Sequence, residues 1–115
     1  MNKEVLQEAR AVYGDDNQLS VAIEEMAELT QVLSKYFRYD DKIKGVAELL
    51  PQVISEVADV YIVLEHVKAI FGLEPRDIDQ MVFMKIDRLR RWLEQSSSAE
   101  VTLTDRSLHD NRNNK

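Results

Sequence analysis

The chain has 115 residues, a length that suits one domain with a real core and no need for disulfide or metal staples. Its 21 acidic residues outweigh 15 basic ones and give a formal net charge of −6, which disfavours sequence-independent binding to DNA or RNA. Cysteine is absent, so thiolate metal sites, disulfide scaffolds and cysteine nucleophiles are excluded. Only 3 Gly and 2 Pro are present, which disfavours hairpins and Gly-rich phosphate loops. The composition predicts an all-α fold.

The first two predicted helices occupy residues 3–13 and about 18–39. Gly14 ends the first of them, because glycine adopts a left-handed backbone conformation at little cost. The Asp and Asn side chains at residues 15–17 are suited to cap the second helix and to favour its positive end. Apolar residues recur at steps of three and four along that helix and predict its buried face: Leu19, Ile23, Met26, Leu29 or Val32, Leu33 and Phe37.

The rest of the chain is predicted to hold two further helices and a polar tail. Residues 38–45 form a basic-rich connection, residues 46–50 a short helical turn, and Pro51 the first turn of a long third helix that ends near Gly72. Pro75 opens the fourth helix, at residues 76–95, with an inner face made of Ile78, Val82, Ile86, Leu89 and Leu93. We therefore expect one helical domain at residues 1–95 and a polar, flexible tail at residues 96–115.

The third predicted helix is apolar on nearly every side between residues 53 and 71. A helix that is apolar all round must be buried all round, and the other helices of one small chain cannot easily surround it. We therefore expect a four-helix-bundle-like subunit that completes its core by forming a homodimer or a homotetramer.

The chain shows no targeting or membrane-spanning pattern. Its first residues are acidic where a secretory signal is apolar. The most apolar window, residues 57–67, is too short and too charged to span a bilayer. We expect a cytoplasmic protein without a membrane partner.

Two pairs of acidic residues stand out because of their spacing on the second and third helices. Glu25 and Glu28 are three residues apart, as are Glu56 and Asp59, so each pair projects from one side of its helix. If the two helices pack antiparallel, four carboxylates converge on one spot, where like charges repel. Asp59 is the most demanding of the four, since its neighbours at residues 57–61 are otherwise apolar or aromatic.

A divalent cation gives these four carboxylates a common partner. All-oxygen ligation selects a hard ion, so the pattern indicates Mg²⁺, with Mn²⁺ as the substitute. The competing interpretation of the acids on the second helix is an ordinary solvated face. A di-iron bundle would need Glu-x-x-His motifs, and the residues three before His66 and His109 are Val63 and Arg106. That reading is excluded, and His66 is expected to be a hydrogen-bonded core or interface histidine.

The acidic motifs and their flanking residues resemble a known family. Glu25-x-x-Glu28, the 27 residues 29–55 and then Glu56-x-x-Asp59 resemble the signature of the all-α nucleoside triphosphate pyrophosphatases, in particular the MazG-like branch. Residues 18–29 and 54–64 are similar to the two acidic helices of that family, and residues 85–91 resemble the basic pattern on its closing helix.

The resemblance implies a Mg²⁺-dependent hydrolase that cleaves nucleoside triphosphates to monophosphate and pyrophosphate and that self-associates. By this likeness Glu25, Glu28, Glu56 and Asp59 bind the metal. Glu24 is the extra acid, a candidate for holding a second metal or for positioning the attacking water.

The charge of a bound triphosphate also calls for basic side chains. We favour Lys85 and Arg88, one helical step apart on the fourth helix. The second candidates are Lys35, Arg38, Lys42 and Lys44. Gln18 lies at a family-like position and is a candidate for contacting the base of the nucleotide.

The alternative from another functional class is a non-catalytic helical module that dimerises or binds nucleotide. The complete acidic quartet argues against it, because a chain freed from catalysis has no need to keep Asp59 among valines. Release of pyrophosphate from nucleoside triphosphates discriminates between the two.

Overall fold

The part of the chain that the structure describes folds into four α-helices joined by short connections. The structure, a computed structural model, describes residues 1–98, and no strand occurs within them. The helices are α1 (Lys3–Tyr13), α2 (Asp15–Lys35), α3 (Lys42–Ile70) and α4 (Pro75–Ser98), and a 3-10 turn, Tyr36–Arg38, follows α2. The predicted all-α class is confirmed. Among the described helices, none combines the length and the hydropathy needed to cross a membrane.

The chain divides into two compact units, Met1–Leu73 and Glu74–Lys115. In the first unit α2 pairs with α3, and α1 packs against both of them. Of the second unit the structure describes α4, which continues to Ser98. The first three residues of the predicted tail at residues 96–115 are therefore helical, and the remainder of that tail lies outside the described residues.

The core of the first unit is a narrow seam between α2 and α3. The residues of α2 that lie in this seam are spaced alternately four and three positions apart. Their average spacing is 3.5 residues, at which two helices that cross at a shallow angle stay in contact. The buried residues are Gln18, Ala22 and Val32 on α2, and Gly45, Leu49, Val63 and His66 on α3.

The predicted buried face of α2 is largely wrong. Ile23, Leu33 and Phe37 are exposed, and of the predicted set Val32 is the residue that becomes fully buried. The true face is rotated towards Gln18 and Ala22. Hydropathy could not identify this buried face, because the polar residues Gln18 and Glu25 lie on it.

The third helix begins at Lys42, nine residues before the predicted start at Pro51. Asp41 caps it, with Oδ1 accepting from the backbone N–H groups of Ile43 at 3.0 Å and Lys44 at 3.2 Å. Pro51 lies inside the helix on an exposed side, where water can satisfy the carbonyl that its missing N–H leaves free. The predicted connection at residues 38–45 is therefore half helix, and the predicted separate turn at residues 46–50 is part of α3.

Gly45 lets Tyr39 cover the first turn of α3. A Cβ at position 45 would stand 2.8 Å from Cγ of Tyr39, closer than side chains approach in practice. The Tyr39 hydroxyl donates to Oε2 of Glu48 at 2.9 Å. The chain that links α2 to α3 is thereby held against the start of α3.

Glycines with positive φ end two of the helices. Gly14, with φ of 87°, donates its N–H to the Arg10 carbonyl at 2.8 Å and ends α1 as predicted. Gly72, with φ of 64°, donates to Ala69 at 3.3 Å, and Leu73 donates to Lys68 at 2.9 Å. This pair of bonds is a Schellman motif, which stops α3.

Much of the apolar surface of α2 and α3 faces away from the seam. Tyr61 on α3 is 64% exposed, although Val63 two residues later is buried. An apolar groove of about 470 Å³ runs between the end of α2, the 3-10 turn and the first half of α3. It is lined by Val32, Leu33, Tyr36, Phe37, Val46, Leu49, Leu50 and Val53.

Candidate metal centre

The four acids of the predicted quartet lie together on the α2–α3 seam. One carboxylate oxygen from each of Glu25, Glu28, Glu56 and Asp59 lies within 4.8 Å of the others, and we call this group the acidic cluster. Two oxygens that ligate one Mg²⁺ at its usual distance are at most about 4.2 Å apart. A small adjustment of side chains therefore brings the four oxygens to a single ion. The predicted convergence of the four carboxylates is present, and their roles stay predictions.

The fold places these acids where core side chains would otherwise lie. A seven-residue step is two helical turns and returns to the same side of a helix. A buried residue lies seven positions before and seven positions after both Glu25 and Glu56. These residues are Gln18 and Val32 around Glu25 on α2, and Leu49 and Val63 around Glu56 on α3. The packing on both sides therefore fixes the two glutamates in the seam.

Two oxygens of the acidic cluster are buried without a partner. Oε2 of Glu25 and Oε2 of Glu56 make no hydrogen bond within the described part of the chain. A buried carboxylate oxygen left in this state is costly, because it has lost water and gained nothing in return. The two oxygens are the strongest sign in the structure of a missing positive partner.

Burial and like charges raise the pKa of both central glutamates. The pKa of Glu25 rises from 4.5 to about 7, first because of burial and then because of the carboxylates of Glu28 and Asp59. The pKa of Glu56 also rises, through burial first and then through the same two neighbours. A cation bound here would favour the ionised form of both glutamates and so would lower their pKa values, whereas burial and the neighbouring carboxylates raise them.

The protein supplies no cation of its own to the acidic cluster among residues 1–98. The ion pairs seen there join other acids to Lys and Arg, namely Glu48, Glu65, Asp87 and Glu94. An all-oxygen donor set with no internal counter-charge fits a hard divalent ion such as Mg²⁺.

Two other predicted residues of α2 lie outside the acidic cluster. Glu24 is exposed, on the turn that carries Glu25, and is not a member of the cluster. Gln18 is buried in the seam, and its Nε2 donates to Oδ1 of Asn17 at 3.2 Å. Its side chain is therefore already engaged within α2.

Three of the basic residues predicted to contact substrate lie on α2 and α4. Lys35 is the half-buried last residue of α2, seven residues and thus two turns beyond Glu28 on the same side of that helix. Lys85 is half-buried and Arg88 exposed on α4, in the second unit. The roles of all three stay predictions.

Sequence reasoning missed the partner of His66. The prediction of a hydrogen-bonded core histidine is confirmed, since His66 is 3% exposed and its Nδ1 lies 3.0 Å from Nη1 of Arg10. The available signal was the position of Arg10 on the same side of α1 as Leu6, one turn earlier.

No protein-family model, curated protein or solved structure matches this chain. The family resemblance therefore rests on the two acidic motifs and their flanking residues.

Proposed function

We propose that this protein is a Mg²⁺-dependent nucleoside triphosphate pyrophosphohydrolase, which cleaves a ribo- or deoxyribonucleoside triphosphate to the monophosphate and pyrophosphate. The observation that carries the proposal is the acidic cluster, in which four carboxylates meet and two of their oxygens are buried with no hydrogen-bond partner among residues 1–98. The resemblance of the two acidic motifs supports the choice of substrate.

In this proposal the residues of the acidic cluster bind the metal ion and orient it towards the phosphates. Glu25 and Glu56 are held in the seam by the packed turns around them, so their carboxylates keep a fixed position. Glu28 is the exposed member of the acidic cluster and gives the site its open side, where phosphates can approach. When bound, Mg²⁺ would supply the positive charge that joins an acidic protein to a triphosphate and would polarise the phosphoanhydride.

The remaining roles are proposed for residues outside the acidic cluster. Glu24 is proposed to orient the attacking water or to hold a second ion. Lys35, Lys85 and Arg88 are proposed to contact phosphate oxygens, because such charge-assisted hydrogen bonds are the strong ones. A contact from Gln18 to the base would use its Oε1 or its second N–H, because the first N–H is donated to Asn17.

We further propose that the protein works in the cytoplasm as a homodimer or a homotetramer. The support is the apolar surface that α2, α3 and the turn between them expose, including Phe37 at 78% and Tyr61 at 64%. Soluble monomers rarely expose contiguous apolar patches of large area, whereas interfaces between subunits bury them.

The test of catalysis is pyrophosphate release. The purified protein is incubated with each ribo- and deoxyribonucleoside triphosphate in Mg²⁺, and pyrophosphate is assayed over time. We expect Glu56→Gln to lower the rate by about 100-fold or more, because it removes a ligand charge while keeping the side-chain shape. The matched control is Glu8→Gln on the exposed side of α1, which should keep the parent's rate.

Two results would contradict the proposal. One is the absence of pyrophosphate release from every nucleotide with either Mg²⁺ or Mn²⁺. The other is equal release by the parent and by Glu56→Gln. Nucleotide binding without any release would favour the non-catalytic module instead.

A further inference from the structure

α1 is held on the first unit by few apolar contacts. None of its side chains is fully buried, and Val5, Val12 and Tyr13 are exposed. Where it meets α3, the two helices leave a pocket of about 140 Å³ lined by Lys3, Leu6, Arg10, Glu65, Lys68 and Ala69. Hydrophobic burial alone therefore fixes this helix weakly.

One part-buried polar bond joins α1 to α3. Nη1 of Arg10 lies 3.0 Å from Nδ1 of His66, whose side chain is 3% exposed. A guanidinium only donates hydrogen bonds and keeps its charge at any pH that proteins meet. Nδ1 of His66 must therefore accept, which places the proton of the neutral ring on Nε2. An imidazolium has no free nitrogen lone pair, so the bond exists only while His66 is uncharged.

We propose that the Arg10–His66 bond is a pH-sensitive latch, which holds α1 against α3 and opens when His66 takes up a proton. Protonation removes the acceptor and places a second positive charge beside Arg10, so the contact changes from attraction to repulsion. Gly14 lies between α1 and α2 and provides the pivot, because glycine, with φ of 87° here, is the residue least restricted in its backbone angles.

The charges around His66 leave Arg10 as its dominant neighbour. On α3, the adjacent Glu65 is paired with Lys68 at 2.6 Å. On α1, Lys3 lines the same pocket, and the first turn of α2 carries the exposed carboxylates of Asp15 and Asp16. Burial first, and then the charge of Arg10, lower the pKa of His66 below its usual 6.5.

The direction of the pH effect follows from that lowering. With α1 released, His66 regains water and its pKa returns towards 6.5, so the released form binds protons more tightly than the docked form. Docking of α1 is therefore at full strength above about pH 6.5. It weakens as the pH falls from there to the lower pKa of the docked state, by up to about tenfold per pH unit.

Hydrogen exchange of the α1 amides measures the latch directly. Protection factors, corrected for the intrinsic exchange rate, are compared between pH 7.5 and pH 5 on the full chain without metal or nucleotide. We expect α1 protection in the parent to fall by up to about tenfold per pH unit below 6.5. His66→Gln should abolish that dependence, because an amide oxygen still accepts from Arg10 but does not titrate. His109→Gln, which removes the other histidine, should leave it unchanged.

A second measurement needs no variant. Nitrogen NMR of the His66 ring in the parent should show the Nε2–H tautomer at pH 7.5, and its protonation midpoint should coincide with the loss of α1 protection. The latch is ruled out by a proton on Nδ1 at pH 7.5, by pH-independent α1 protection, or by an equal slope in His66→Gln. None of these readouts depends on the proposed hydrolase activity.

Discussion

Glu25 carries a carboxylate at a position of α2 where the turns before and after it carry buried side chains. Its pKa of about 7 means that, without a cation, roughly half of the molecules hold a proton there at neutral pH. The causes of this raised pKa are burial in the protein interior and the nearby carboxylates of Glu28 and Asp59. Cation binding and proton binding therefore compete at this single side chain.

The competition predicts how the stability of the metal-free protein depends on pH. Because the pKa of Glu25 is 4.5 in the unfolded chain and about 7 in the folded protein, the folded state binds the extra proton between those two pH values. The contribution of this group to stability is thus lost as the pH rises through 7. Glu25→Gln does not titrate, so its melting temperature should rise relative to that of the parent between pH 5 and pH 8, by about 10 °C.

Thermal melts in a chelator, recorded for both proteins across that range, test this. Taking the difference between the two cancels the opposite slope expected from His66. Added Mg²⁺ at pH 8 should stabilise the parent and have much less effect on Glu25→Gln. Parallel melting curves at all pH values would contradict the prediction.

At the scale of elements, α3 shows which parts of the fold could be predicted from the sequence. The bounds of α1 and the helical type of all four elements depend on local spacing and caps, and these were predictable. The start of α3 was not, because Gly45 and Pro51 disfavour helix locally. What overrides them is the cap from Asp41, the packing of Tyr39 on Gly45 and the exposed side on which Pro51 lies.

The contact between Tyr39 and Gly45 predicts a reversal of sign. Alanine favours a helix over glycine by about 1 kcal/mol, so Gly45→Ala would ordinarily stabilise α3. Here the new Cβ would meet the Tyr39 ring at 2.8 Å, and we expect a loss of stability instead. In a Tyr39→Ala background the same change should become stabilising. Urea unfolding of the four proteins in this cycle measures it, and a stabilising Gly45→Ala in the parent would refute the steric account.

For the acidic cluster too, features set by local sequence spacing could be predicted, and features set by packing could not. The three-residue spacing of each acid pair predicted that its members share a helix face, and the structure agrees. The buried face of α2 was misjudged because Glu25 interrupts its apolar pattern, so the feature that makes the site also conceals it. The Arg10–His66 bond joins residues 56 apart in the chain, so local spacing places Arg10 on the same side of α1 as Leu6 but does not identify its partner.

At the scale of the whole molecule, the first unit has a small apolar core beside a large apolar surface. The buried apolar side chains among the described residues are Ala22, Val32, Leu49 and Val63. The apolar groove exposes Leu33, Phe37, Val46 and Leu50. The sequence indicates excess apolar surface through the composition of α3, but subunit number depends on how surfaces fit together.

Self-association predicts the effect of a charge in the apolar groove. Leu50→Glu places a carboxylate among its apolar side chains, and we expect it to weaken association by about tenfold or more. Val12→Glu, on the exposed side of α1, is the control and should associate as the parent does. Sedimentation velocity over a range of concentrations gives the masses. A parent that sediments as a monomer at all concentrations would contradict the prediction.

The unpartnered oxygens of Glu25 and Glu56 also bear on how the chain would respond to selection. An apolar side chain at either position would continue the seam and remove a buried charge, so leucine there should make the metal-free chain more robust to heat. A laboratory screen for thermostability, run without divalent cations, should therefore enrich such replacements at the two glutamates. Variants that win the screen would bind cations poorly, which is the usual conflict between a stable fold and a working site. Positions that gain stability so readily, yet keep their acids, would mark where function restrains the sequence.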